Sequence, residues 1–249
     1  RLGDLPSHPE LLDYLAGHFM ENGWSVKRLI RDLVLSSTFG QSSRVDEKAR
    51  ARDPDNRWLH HFPSQRLEAE AIRDAVLAVS GRLDPRLYGP PIDPHRQNED
   101  SQKRLFSGPL DGAGRRSLYI KVTLMEPPKF LATFNQPNPK ISTGRRDRTN
   151  VPGQALALLN DPFIANQAQY WAERLVQMPH ASPAQRLTEM FASALGRKPS
   201  EEELARWTEA VSDLAAAHGA APEAAMRCVP VWKDVAHALF NTKEFIYVR

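Results

Sequence analysis

Apolar residues recur every three or four positions over most of the chain, a spacing typical of amphipathic α-helices. Two such stretches lie near the start, separated by Asn22 and Gly23, a pair that favours the left-handed end of a helix. We therefore predict a helical hairpin over residues 11–39. Its predicted buried positions lie on the apolar faces: Leu11, Leu12, Leu15, Ala16, Phe19, Val26, Leu29, Ile30, Leu33 and Val34.

A third helix is predicted from about residue 65 to residue 82. Ile72, Val76 and Val79 share one side of it, and most of its remaining surface is also apolar, so we expect it to be largely buried. Glu68 falls among the apolar residues, and a buried carboxylate needs a partner or takes up a proton. The narrow charged stripe of this helix consists of Arg66, Glu70, Arg73 and Asp74.

Helix starts are marked by residues whose side chains cap the first turn. A helix predicted after Asp161 and the last predicted helix, after Pro230, each carry an apolar stripe. The two stripes are Phe163, Ile164, Trp171 and Leu175, and Trp232, Val235, Ala236, Leu239 and Phe240. The stretch with the aromatic and β-branched content of a strand is residues 115–122. The predicted fold class is mainly α, a helical domain with a minor strand element and long irregular loops. The predicted caps are Ser7, Ser25, Asn150, Asp161, Ser182 and Ser200.

Three parts are predicted along the chain. Residues 1–83 hold the hairpin and the buried helix, and residues 116–249 hold the strand, an arginine-rich loop and the C-terminal helices. Residues 84–115 between them are rich in Pro, Gly and charge, a composition that favours a flexible segment. The first and third parts are predicted to form one domain.

Composition argues against several function classes. The chain has 33 Lys and Arg against 30 Asp and Glu, and so small a surplus over 249 residues makes nucleic acid an unfavoured partner. The single Cys228 can form neither an intrachain disulfide nor a CxxCH haem attachment. No apolar run reaches the roughly 20 residues that span a bilayer. We predict no membrane span and no cofactor bound by this chain.

No catalytic motif has the required spacing. The eight histidines include no HExxH metal motif, so no metal site is predicted, and no GxSxG nucleophile motif is present. The best carboxylate pair for glycoside hydrolysis is Glu68 with Glu70 or Asp74. Because Arg66 and Arg73 flank Glu70 and Asp74, we interpret the latter two as part of a salt-linked helix face.

Residues 134–160 combine polar, basic and turn-forming residues and lead directly into an apolar helix. Gly144 permits a left-handed backbone step before the charged residues 145–148. One interpretation is that the arginines tie the loop down through contacts with carboxylates and carbonyl oxygens. A second is an anion or carbohydrate site. Nucleic acid is not favoured, because no aromatic residue alternates with the arginines.

These patterns give a set of candidate residues for ligand binding or for structure, and none is assigned to catalysis. We also predict that Glu68 pairs with an arginine of residues 145–148, since each is costly to bury alone. Trp58 is the tryptophan best suited to stack on a ligand, because the others lie on core stripes or beside a helix start. The candidates are Glu68, Arg66, Glu70, Arg73, Arg145, Arg146, Arg148, Asn150, Gln154 and Trp58.

Several segments occur in an order that resembles a known family. They include SHPELLDYLA, DPDNRWL, RLEAEAIRDAVLAVSGRLD, GRRDRTNVPGQALALLNDPF and ALGRKPSEEEL. Over nearly its whole length the chain is similar to the C-terminal domain of unknown function of large planctomycete proteins. Where this chain has Asn135, Asn138 and Ser142, that family usually has Asp, Asp and Cys. If those groups carried chemistry, this member has lost it.

The resemblance implies a setting more than a reaction. It implies a secreted, periplasmic or cell-surface protein, with haem c bound elsewhere in the parent protein and the front of the domain preceding residue 1. The implied partners are other domains of the parent chain and polysaccharide. We expect a non-catalytic helical interaction or scaffold domain. The alternative is part of a carbohydrate-active enzyme, polysaccharide-degrading or redox-assisted, with an anion- or sugar-binding arginine loop.

Overall fold

A computed structural model describes residues 5–96, 106–123, 126–144, 146–179 and 181–248. Their backbone is mainly α-helical, which confirms the predicted class, and the strands β1 (Gln65–Arg66) and β2 (Tyr247–Val248) pair in a small sheet. Within these residues, no helix has both the length and the apolar character needed to cross a bilayer. The helices are α1 (Pro9–Glu21), α2 (Val26–Val34), α3 (Glu47–Arg52), α4 (Ala69–Ser80), α5 (Lys129–Thr133), α6 (Pro152–Asn160), α7 (Pro162–Gln177), α8 (Pro183–Leu195), α9 (Glu201–Ala217) and α10 (Val229–Phe240), and the 3₁₀ turns are Gly112–Gly114, Ser117–Tyr119, Pro222–Arg227 and Lys243–Ile246.

The chain divides into two compact units, Arg1–Gln65 with Val248–Arg249, and Arg66–Tyr247. Helix α4 belongs to the second unit, where it packs against α5 and α7. The division into three parts, with the first and third in one domain, stays a prediction. Residues 97–105 of the segment predicted to be flexible lie outside the described part of the chain. The flexibility of residues 84–115 therefore stays a prediction.

The first unit contains the predicted helical hairpin, formed by α1 and α2. Ser25 caps α2 as predicted, whereas the N-cap of α1 is His8 and not Ser7. The predicted burial of the apolar faces is wrong, since neither helix contains a buried residue. Trp24, in the left-handed conformation between the helices, is 65% exposed. Two adjacent helices cover only a strip of each other, and burying the rest requires a further layer.

The core of the second unit is built largely from α4, α7, α8 and α10. Helix α10 packs along α7, where the ring centroids of Trp171 and Phe240 are 5.3 Å apart. Trp232 is fully buried and donates its indole N–H to the carbonyl of Ala225 at 2.9 Å. The predicted apolar stripes of α7 and α10 are thus confirmed as core. Their buried members are Phe163, Ile164, Trp171, Leu175, Trp232, Val235, Ala236, Leu239 and Phe240.

Helix α4 is shorter than predicted and begins at Ala69. It ends at Gly81, whose φ of 81° is a left-handed conformation that favours glycine. Ile72, Val76 and Val79 are buried as predicted. A helix this deeply inserted makes its few polar side chains part of the core as well.

The strand predicted over residues 115–122 is not formed. A 3₁₀ turn, Ser117–Tyr119, lies at its centre, and isolated bridges join Asp84 to Arg115 and Ile92 to Ile120. Both the backbone N–H and the hydroxyl of Ser117 donate to Asp74 Oδ1 at 2.7 Å. These bonds to α4 bend the backbone, and side-chain content favourable to a strand does not overcome them.

Arg197 follows α8 and joins the start of α9 to the 3₁₀ turn after α10. It donates to both carboxylate oxygens of Glu203 at 2.8 Å, and to those of Glu244 at 2.8 and 2.7 Å. Glu203 also accepts the backbone N–H of Ser200, the predicted N-cap, at 2.8 Å. The hydrogen bonds from Arg197 and Ser200 lower the pKa of Glu203 to about 2.

The low pKa of Glu203 predicts acid sensitivity. Its ordinary value is 4.5, so its contribution to stability is complete above that pH and is lost as the pH falls toward 2. The melting temperature of Glu203→Gln should therefore depend less steeply on pH in this window than that of the wild type. Circular dichroism melts measure this slope, with Glu201→Gln, exposed in the same turn, as control. Equal slopes in the wild type and Glu203→Gln would contradict the assignment.

Candidate functional site

Arg66 is the centre of the arginine-rich loop region. It is buried, at the end of β1, and its guanidinium group points toward residues 133–154. One terminal nitrogen donates to Gln154 Oε1 at 2.6 Å and to the carbonyl oxygen of Thr149. The other donates to Asn135 Oδ1 at 2.8 Å and to the carbonyl oxygen of Phe134 at 3.2 Å. One side chain thus holds both ends of the loop.

Asn135 and Gln154 connect these ends to each other. Gln154 donates to the carbonyl of Thr133 at 3.0 Å and to Asn135 Oδ1 at 3.1 Å. The hydroxyl of Thr149 also donates to Asn135 Oδ1, at 2.9 Å. Asn135 has a φ of 66°, a left-handed conformation that Asn tolerates better than most residues. The oxygen of Asn135 therefore receives donors from three side chains.

Two of the predicted N-caps, Asn150 and Asp161, lie near the loop. Helix α6 begins at Pro152 with Val151 as N-cap, so the prediction of Asn150 as the cap is wrong. The first turn is instead closed by Gln154, whose Oε1 lies 3.4 Å from the backbone nitrogen of Val151. Asp161 caps α7 as predicted, accepting the N–H of Phe163 at 2.9 Å.

The acceptors around Arg66 are all uncharged. No carboxylate among the described residues pairs with its guanidinium, and its Nε is buried without a hydrogen-bond partner. Burial lowers the pKa of Arg66, and the positive charge of nearby Arg148 lowers it further. The cation is nevertheless held, because charge-assisted hydrogen bonds to neutral oxygens are strong in a low-dielectric interior.

Arg146 binds the opposite side of this region to α4. It lies 3.0 Å from Glu68 and 2.8 Å from Glu70, so the predicted pairing of Glu68 with an arginine of this loop is present. The predicted burial of Glu68 is wrong, since its side chain is 44% exposed. Glu68 directly precedes α4 as its N-cap residue and so does not share the buried face of the helix. Arg145 lies outside the described residues.

Arg73 is predicted in the charged stripe of α4, but the structure buries it, with 4% of its surface exposed. Its guanidinium donates to the carbonyls of Asp111 and Arg115, at 2.7 and 3.0 Å, and to Ser117 Oγ at 3.2 Å. Burial lowers the pKa of Arg73 to about 10, so it remains a cation at neutral pH. Gly112 lies beside it with a φ of 61°, and a Cβ there would stand 2.6 Å from Arg73 Nη2.

A cavity of about 810 Å³ lies next to Arg73 in the second unit. Its apolar wall includes the rings of Phe130 and Phe163, whose centroids are 5.5 Å apart. Arg96, also buried, lines it and pairs with Glu126 at 3.1 Å. A volume of this size is in the range of small-molecule sites. No sequence pattern indicates the cavity, because its walls come from segments far apart in the chain.

Trp58 belongs to the first unit and is 72% exposed. The backbone N–H groups of Arg57 and Trp58 donate to the carboxylate of Asp53, at 2.9 and 2.7 Å, which fixes the turn at residues 53–58. Its role as a stacking platform stays a prediction. Among the described residues, no group of three or more His, Cys, Asp or Glu side chains is arranged to hold a metal ion.

The fold and these contacts define a mainly helical domain whose loops are organised around buried arginine side chains. A family model described as PSD1, a protein of unknown function (DUF1553), matches residues 1–211. The chain belongs to this family, which confirms the resemblance to a domain of unknown function. No curated protein and no solved structure matches the chain.

The donors converging on Asn135 predict the effect of adding a charge there. Asn135→Asp would place a carboxylate 2.8 Å from Arg66, which has only neutral acceptors, and should raise the free energy of unfolding by about 1 kcal/mol. Urea denaturation at neutral pH measures this gain. Asn138→Asp, exposed in the same loop, is the control and should change stability by less than about 0.5 kcal/mol. A less stable Asn135→Asp variant would contradict the described geometry.

The exposure of Glu68 predicts a small effect of its removal. Glu68→Gln should cost less than about 1 kcal/mol in urea denaturation, since exposed ion pairs contribute little and Arg146 keeps Glu70. Replacing both Glu68 and Glu70 by Gln should cost more than the sum of the single changes, because Arg146 then loses both carboxylates. A loss of about 3 kcal/mol or more from Glu68→Gln alone would place it in a buried pair.

Proposed function

We propose that this chain is a non-catalytic interaction or scaffold domain within a larger protein. The observation that carries the proposal is the internal use of its candidate arginines. Arg66 holds the ends of the 134–154 loop, and Arg146 bridges Glu68 and Glu70. An arginine site that binds an external anion must keep donors directed at that ligand. Here the guanidinium groups of Arg66 and Arg146 serve to hold the loop in place.

The acidic residues near the cavity favour the same role. A hydrolase would present carboxylates with unengaged oxygens toward its substrate. Glu126 instead pairs with Arg96, Asp93 lies 3.3 Å from Lys121, and Asp161 caps α7. These pairings support a scaffold over the alternative, a carbohydrate-active enzyme with an arginine loop that binds sugars or anions.

The family resemblance supports a proposal for the setting of this domain. We place it in a secreted, periplasmic or cell-surface bacterial protein, in contact with other domains of the same parent chain. Polysaccharide is the external partner that this setting suggests, and haem c would belong to another part of the parent. The loop of residues 134–151 is the part of the domain that we assign to contacts with other domains of the parent chain, because Arg66 fixes its shape before any partner arrives.

Thermal unfolding across a ligand panel tests the proposal. The panel contains heparin, polygalacturonate, inorganic phosphate, divalent metal ions, cytochrome c and DNA. A ligand that binds only the folded chain raises the melting temperature in proportion to RT ln(1 + [L]/Kd). We expect that phosphate and polygalacturonate do not shift the melting temperature through Arg146. Any concentration-dependent shift that they cause should remain in Arg146→Ala. The exposed Arg206→Ala variant is the matched control.

A shift that disappears in Arg146→Ala and persists in Arg206→Ala would overturn the proposal. It would make the loop an anion or sugar site and would favour the enzyme. A cooperative melt unchanged by all six ligands supports a domain whose contacts are with its own parent chain.

A further inference from the structure

The cavity beside Arg73 has an apolar wall and a cationic floor. Phe130 and Phe163 form the wall together with Pro128 and Leu131, and Arg73 lies beneath them with its guanidinium carbon 5.4 Å from the ring centroid of Phe163. A buried cation next to an aromatic surface is a combination that binds molecules with an apolar body and a charged group.

Arg73 has donors left over after its internal contacts. A guanidinium group carries five N–H bonds. Three are used, two from Nη1 to Arg115 and Ser117 and one from Nη2 to Asp111. Within the described part of the chain, the Nε hydrogen and the second Nη2 hydrogen have no acceptor. A carboxylate in the cavity can accept from these remaining N–H groups.

Arg73 is the buried cation of a small ion-pair cluster. Among the described residues, Asp74 and Asp111 pair with Arg73, Arg82 and Arg116. Arg82 and Arg116 are 44% exposed, so solvent screens their charges. Asp74 is 3.9 Å from Arg73, and it also accepts two hydrogen bonds from Ser117. Arg73 therefore has no close bidentate carboxylate partner in this cluster, and an anion in the cavity would supply one.

We propose that this cavity is a binding site for a small organic carboxylate with an aromatic or cyclic body. The carboxylate binds the Nε and Nη2 groups of Arg73, and the ring lies against Phe130 and Phe163. Arg96 closes the other wall, where its pairing with Glu126 leaves that side electrically neutral. The site does not depend on the scaffold role of the 134–151 loop, whose Arg146 pairs with Glu68 and Glu70.

The experiment uses the full chain and calorimetric titration with 2-naphthoate, with 2-naphthamide as its uncharged analogue. Leu156 and Leu159 supply matched variants, because both are exposed on α6, at 56% and 52%. Of these two residues, Leu156 lines the cavity and Leu159 does not. Leu156→Asp adds a negative charge at the cavity, and Leu159→Asp adds the same charge outside it. Arg73→Lys keeps the charge but removes the paired donors.

We expect naphthoate to bind at least about tenfold more tightly than naphthamide, since the carboxylate contact is the specific one. Leu156→Asp should weaken naphthoate binding at least about fivefold through repulsion and Leu159→Asp should not change it. Arg73→Lys, if it folds, should remove the preference for the carboxylate.

Three outcomes would overturn the inference. They are equal affinities for naphthoate and naphthamide, equal losses in Leu156→Asp and Leu159→Asp, and no naphthoate binding to the wild type at millimolar concentration. Because the two leucine variants change exposed residues, they keep the test decisive even where Arg73→Lys does not fold.

Discussion

The loop region of this domain depends on a buried guanidinium that has no carboxylate partner among the described residues. Arg66 can remain in the interior only while carbonyl and amide oxygens surround it, and those oxygens belong to Phe134, Asn135, Thr149 and Gln154. A buried cation without acceptors is costly in free energy, so the chain that supplies these oxygens is held in one conformation. The loop is irregular in its backbone and still specified in its shape.

The arginines of the second unit divide by the kind of acceptor they have. Arg197 and Arg146 each bind two carboxylates, so protonation of an acid weakens their contacts. The contacts of Arg66 are to groups that do not titrate between acid and neutral pH. Arg73 is intermediate between these two kinds, since it donates to neutral oxygens and also lies near Asp74. It keeps N–H donors beside the cavity. The same side chain thus serves cross-linking, loop anchoring and, by our proposal, ligand recognition.

Local rules predicted the helices, several caps and the core stripes of α7 and α10 well, because these depend on residues within one or two turns. The burial of Arg66 and Arg73 was not predictable in this way. Their acceptors lie 38 to 88 residues away, and a helical pattern assigns a charged residue to the surface by default. Glu68 is predicted to be buried and is exposed, because α4 begins one residue after it and Glu68 does not share the buried face of the helix. The apolar stripes on α1 and α2 predict a buried face, but they do not identify the element that would cover it.

The glycine beside Arg73 has a consequence for how this sequence can vary. Any side chain at Gly112 would place its Cβ 2.6 Å from Arg73 Nη2 and 2.8 Å from Ile92 Cδ1, in a backbone conformation that L-residues disfavour. The guanidinium cannot withdraw without giving up the carbonyl of Asp111. Any replacement of Gly112 therefore disturbs the cavity floor, whatever the chemistry of the new side chain.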